Sequence, residues 1–186
     1  MKRFLGLGLI ALAACHASIP KPQALPYPPQ RIFQNVFSFL PPAELGWVML
    51  ARDAHQLALG RAGSSPDEAY GIQGRVFLRL PAYASDEEFV DLIRKALAEQ
   101  SADPSYKTLK HEVSAEPSKL TSCAKSHFVA EDMAMILEVR TLSCAHPKRR
   151  DAVVTLVFSH RYYPGQADPK FAEKAAAFLS SLEFLE

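Results

Sequence analysis

The residues of this chain best suited to chemistry are two cysteine–histidine pairs, Cys123-x-x-x-His127 and Cys144-x-His146. Residues two or four apart on a β-strand share a face, so each sulfur would project beside its imidazole. Two such strands side by side could present Cys123, His127, Cys144 and His146 together, a ligand set suited to zinc or copper. The alternative is a Cys123–Cys144 disulfide with two surface histidines. A disulfide sulfur is a poor ligand, so the two outcomes exclude one another.

Other chemistry is sparse. The sequence holds no Gly-rich phosphate loop, no Gly-x-Ser-x-Gly elbow and no His-Glu-x-x-His. Gly63-Ser64-Ser65 echoes a nucleophile loop, but a serine nucleophile needs a base within hydrogen-bond reach, and spacing supplies none. It reads as a turn. Arg161, Tyr162 and Tyr163 stand in a row before Pro164-Gly165; arginine and aromatics are enriched at interface hot spots, so this is a candidate partner patch. Lys148-Arg149-Arg150 reads as a solvated loop, and His55, His111 and His160 are isolated, with no role assigned.

The elements that must position these residues follow from periodicity. Ile32 to Leu40 reads as one strand ended by Pro41-Pro42; Trp47 to Ala51 and His55 to Arg61 read as two strands joined at Arg52-Asp53-Ala54. Gly63 to Glu68 is a loop. Ile72, Gly74, Val76, Leu78 and Leu80 then alternate with polar residues, with Phe77 the apolar exception on the outer set. Ser85 and Glu88 form a capping box, and Phe89, Leu92, Ile93, Ala96 and Leu97 make one apolar helix face, broken at Ser101 to Ser105. Strands follow at Tyr106 to Val113, Ser122 to Val129, Met133 to Leu142 and Ala152 to Tyr162. The last is apolar on both faces up to Phe158, which predicts a central strand covered on both sides. Pro147 to Asp151 reads as the loop before it. Asp168 as N-cap and Pro169 at the first position open a second helix, with Phe171, Ala175, Phe178, Leu179 and Leu182 as its stripe.

The expected architecture is α+β, an antiparallel β-sheet in two strand groups, each followed by a helix. This order resembles the PsbP-like and DcrB-like fold. It does so through the aromatic opening strand, the proline break before Gly46-Trp47 and a terminal helix running into Ser181-Leu182-Glu183-Phe184. The resemblance would cover Arg31 to Glu186. It implies a protein largely without enzymatic activity, in a binding or accessory role.

The leader supplies an address. Lys2 and Arg3 precede an apolar run from Phe4 to Ala14, the pattern of a secretory signal peptide. At roughly 20 apolar residues for a membrane span, the run is too short to cross. Its end, Leu12-Ala13-Ala14-Cys15, resembles the bacterial lipobox. That resemblance implies cleavage of residues 1–14 and a covalent diacylglyceryl lipid on Cys15, usually joined by acylation of the new amine. Two chains suffice for stable anchoring where one does not. His16, where aspartate would retain a lipoprotein in the inner membrane of enteric bacteria, favours the outer membrane.

Removing Lys2 and Arg3 takes the formal charge from +1 to −1, and a near-neutral chain argues against nucleic acid. In an oxidising envelope the remaining cysteines, Cys123 and Cys144, read as a disulfide. Pro20, Pro22, Pro26, Pro28 and Pro29 mark residues 15–30 as a lipidated, extended tether. At about 3.1 Å per residue it would hold a single domain, residues 31–186, some 45 Å from the membrane. The expectation is a non-enzymatic, lipid-anchored envelope module with an unknown protein partner, no cofactor beyond the lipid and no catalytic residue; the alternative is a periplasmic small-ligand or metal-binding lipoprotein, using a pocket between helix and sheet or the Cys/His set.

Overall fold

Two β-meanders lie side by side and merge into one sheet. The computed structural model describes residues 22–101, 106–118 and 120–186. Its strands are β1 (Gln23–Ala24), β2 (Ile32–Gln34), β3 (Phe37–Phe39), β4 (Val48–Arg52), β5 (Gln56–Ala62), β6 (Ala69–Leu78), β7 (Tyr106–Glu116), β8 (Cys123–Asp132), β9 (Met135–His146), β10 (Arg149–Tyr162) and β11 (Glu183–Phe184). Helix α1 (Asp86–Ser101) follows β6, and α2 (Phe171–Leu179) follows β10. The eight-stranded sheet runs β1-β4-β5-β6-β10-β9-β8-β7, and a three-stranded sheet runs β11-β3-β2. The two expected strand groups are therefore one sheet, joined where β6 pairs antiparallel with β10 from Ala69↔Arg161 to Leu78↔Ala152. The fold is α+β, mostly antiparallel sheet with two helices.

Strand β10 serves two cores because its side chains alternate. Val154, Leu156 and Phe158 meet Leu57, Leu59 and Ile72 beneath α2 and the small sheet. Val153 faces the other way, joining Ala124 and Ala145 beneath Phe89, Val90 and Ile93 of α1. Each helix covers only part of its face: α1 packs on β7 and β8, α2 on β10 and β9.

Four local expectations are corrected. Ile32 to Leu40 is a hairpin, β2 and β3, turning at Asn35 with φ 36°, a conformation asparagine tolerates. The α1 face is rotated to bury Val90, while Ala96 is exposed, because valine removes more apolar surface from water than alanine. The chain after α2 does not continue as helix; Glu183–Phe184 pairs with β3. The fourth concerns the tether: Gln23 and Ala24 pair with Met49 and Val48, and Leu25 packs on the core, so the domain begins before Arg31.

The caps show how the sequence starts its helices. The Glu88 carboxylate accepts the Ala84 N–H at 2.6 Å while the Ser85 hydroxyl accepts the Glu88 N–H at 3.3 Å, a capping box displaced by one residue. Asp168 accepts the Lys170 N–H at 2.8 Å, capping the turn before α2 rather than the helix itself. Among the described residues no helix is long and apolar enough to cross a membrane.

Candidate functional site

Cys123 stands directly opposite Cys144 in the β8–β9 ladder, each ten residues from the Met133–Ala134 turn, and the two are joined in a disulfide with Cα atoms 4.1 Å apart. That register disperses the proposed ligand set. His127 lies four residues past Cys123 and His146 two past Cys144, and antiparallel strands send those steps in opposite directions. The imidazoles are thus six strand positions, about 20 Å, apart. His146 is a turn residue: its Nδ1 accepts the N–H groups of Lys148 and Arg149 at 3.2 and 3.1 Å, and its Nε2 donates to the Leu185 carbonyl at 3.2 Å. Cys123, His127, Cys144 and His146 do not converge. Among the described residues no group of three or more His, Cys, Asp or Glu is placed to hold a metal.

His127 finds a different partner. Its Nε2 lies 2.8 Å from Glu138 Oε1, which also receives Arg140 at 3.4 Å, and the Tyr162 hydroxyl donates to the same carboxylate. Burial, aided by Arg140, pushes the His127 pKa down despite the carboxylate.

Of the candidate patch Arg161, Tyr162 and Tyr163, Tyr162 turns to the face opposite Arg161, because adjacent residues on a strand point to opposite faces. Arg161 Nε pairs with Asp132 Oδ2 at 3.2 Å; Tyr162 is buried, its ring 4.5 Å from that of His160; Tyr163 donates to Asp67 at 2.8 Å.

The largest polar assembly was not visible from spacing. His160 is fully buried between the rings of Tyr70 and Tyr162, and its Nε2 lies 2.9 Å from Glu68 Oε1. The other Glu68 oxygen accepts the Ser64 N–H at 2.6 Å, the Ser64 hydroxyl at 2.7 Å and the Ser65 N–H at 3.3 Å. A β-carbon on Gly63 would collide with the Glu68 side chain, which explains the glycine. Burial opposes the Glu68 charge, but these donors and His160 outweigh it and hold the carboxyl down at about 2. The Tyr70 hydroxyl, 3.2 Å from Glu68, lies 3.1 Å from Asp168; Lys174 then bridges Asp168 and Glu44, both at 2.6 Å. Arg61 sits over the Tyr70 ring at 4.1 Å and 3.6 Å from Glu44.

The order along this chain of contacts decides its chemistry. The carboxylate stands between serine and histidine, so His160 has no path to the Ser64 proton. A carboxylate held at about 2 is also a poor base at neutral pH. The assembly ties the Gly63–Glu68 loop, β5, β6, β10 and α2 together, while His160 Nδ1, Glu44 Oε2, Arg61 Nε and Ser65 Oγ stay buried without a hydrogen-bond partner.

A cavity of about 370 Å³ opens beside the C-terminal strand, lined by Leu120, His146, Lys148, Phe184 and Leu185. Both nitrogens of its one histidine are already engaged. Cys15, the expected lipid site, lies outside the described residues.

The architecture, a two-meander antiparallel sheet with one helix on each face, is shared with a solved structure. LpqN of Mycobacterium tuberculosis, involved in cell envelope biogenesis, superposes with a TM-score of 0.56 over 86% of this chain and 86% of that one, at 11% identity. That likeness is one of fold. No protein-family model matches the chain, and no curated protein matches it in sequence.

Proposed function

We propose that this protein is a lipid-anchored accessory module of the bacterial cell envelope, acting by interaction rather than by catalysis. The observation that carries the reading is the fold held in common with LpqN across most of both chains, set beside a leader that ends in Leu12-Ala13-Ala14-Cys15. In this reading Cys15 bears the lipid, the domain faces the periplasm, the outer membrane is its location, and the finer fold assignment is PsbP-like or DcrB-like. The polar clusters support a non-catalytic role: Glu68 separates Ser64 from His160, and Glu138 occupies His127.

Metabolic labelling with an alkyne fatty acid tests the anchor, and crosslinking in intact cells followed by pull-down from membranes tests the role. The wild type is expected to take up label, the C15A variant to lose it, and a specific envelope protein to be recovered with the wild type. An unlabelled, uncleaved chain in the cytosol would remove the compartment and the role with it.

A further inference from the structure

We infer that Arg75 anchors a binding site for an oxyanion group, the carboxylate or phosphate of a small ligand, on the half of the sheet that neither helix covers. On β6, Ile72 and Gly74 point into the core beneath the small sheet, so Gln73 and Arg75 point to the opposite face. On that face α1 lies over β7 and β8, leaving β5, β6 and the middle of β10 uncovered by it. Arg75 stands there between Gln56 of β5 and Thr155 of β10.

Its side chain is unlike the other buried or half-buried arginines. Arg31 meets Glu183, Arg61 meets Glu44, Arg140 meets Glu138 and Arg161 meets Asp132. Arg75 is half-buried, yet among the described residues it has no ion-pair partner; its Nε, like those of Arg61, Arg140 and Arg161, is shut off from solvent with no hydrogen-bond acceptor, so the absent carboxylate is what distinguishes it. Burial alone pushes its pKa down, with no nearby carboxylate to oppose the shift. Leaving a charged group partly desolvated and unpaired is costly, and folding gives nothing back for it at this position.

A guanidinium presents a planar fork of donors that matches a carboxylate or phosphate edge. Neighbouring groups can complete such a site. Thr155 and Ser143, both buried, hydrogen-bond to each other at 3.0 Å and wall the site on the β10 side. Gln73, on the same face, adds an amide. The inference is independent of the accessory role, since it rests on one unpaired cation and its neighbours.

The test follows the Arg75 Nε–Hε resonance by ¹⁵N NMR of the intact domain. Sodium acetate and sodium methyl phosphate are the probes, with sodium chloride at matched ionic strength as control. A saturable displacement by either oxyanion is the expected result, and the same titration read at the backbone amides of Gln56 and Thr155, which the variants keep, is expected to weaken about tenfold or more in R75M; the probe that saturates at lower concentration identifies carboxylate or phosphate. R75K, which keeps the charge and loses the fork, is expected to fall between. R75M is also expected to melt no lower than the wild type, because it removes an unpaired half-buried charge. An Arg75 signal that responds to chloride as it does to the oxyanions overturns the inference, and that arm needs no variant to fold. A lowered melting temperature in R75M would assign Arg75 a structural role instead.

Discussion

His160 Nε2 lies 2.9 Å from Glu68 Oε1 across 92 residues of sequence, with His160 wholly closed to solvent and Glu68 7% exposed. The pair closes the Gly63–Glu68 loop onto β10. Replacing Glu68 with glutamine removes the charge while keeping the shape, and is expected to destabilise the domain by about 3 kcal/mol. The acid response has a definite sign. The Glu68 carboxyl is held at about 2 against an ordinary 4.5, so its stabilisation is complete above 4.5 and is lost as pH falls toward 2. Urea unfolding across that acid range should show a steep loss in the wild type and a flatter one in E68Q.

Gly74 of the large sheet lies directly beneath the phenylalanine rings of the small one. A β-carbon there would lie 2.8 Å from Phe37 Cε2 and 3.2 Å from Phe39 Cε1, both rings fully buried. G74A is expected to cost about 1–3 kcal/mol through overpacking. Pairing it with F37L, which frees space at the same spot, should recover part of the loss, as a double-mutant cycle in urea would show.

The disulfide closes a segment with a sequence separation of 21. In the chain-entropy picture its removal by C123S/C144S lowers stability by roughly 3 kcal/mol. Thiol labelling of the denatured, unreduced protein should mark neither Cys123 nor Cys144. The same protein, soaked in zinc or copper and desalted, should retain no stoichiometric metal. Stoichiometric metal held by unreduced protein would contradict the register described above.

Met133 sits at the tip of the β8–β9 hairpin, 86% exposed, with φ 55°. A side chain with a β-carbon is strained there. M133G is expected to raise stability by about 1 kcal/mol, read as a higher urea midpoint at unchanged slope.

The parts of the fold readable in advance were those governed by short periods. Alternation through Ile72 and Gly74 and the double burial of Val153 and Val154 located β6 and β10, and Ser85 with Glu88 marked the start of α1. Alternation runs on through a two-residue turn, which hid the hairpin at Asn35. Proline spacing in residues 20–29 concealed that Gln23 and Ala24 find a strand to pair with. The site was less legible. Glu68 and His160 have no local spacing in common, and Arg161 and Tyr162, adjacent in sequence, land on opposite faces. Arg75 looked like an ordinary outward residue of an alternating strand; what sets it apart is that no carboxylate among the described residues pairs with it, which no linear pattern records.

Because Gln23 is paired with Met49, seven residues of sequence, His16 to Pro22, separate Cys15 from the first paired residue. Fully stretched, that length spans about 25 Å. Were Cys15 to carry a lipid, that length would set an upper limit on how far Gln23, and with it the β1–β4 margin of the sheet, could stand from the bilayer.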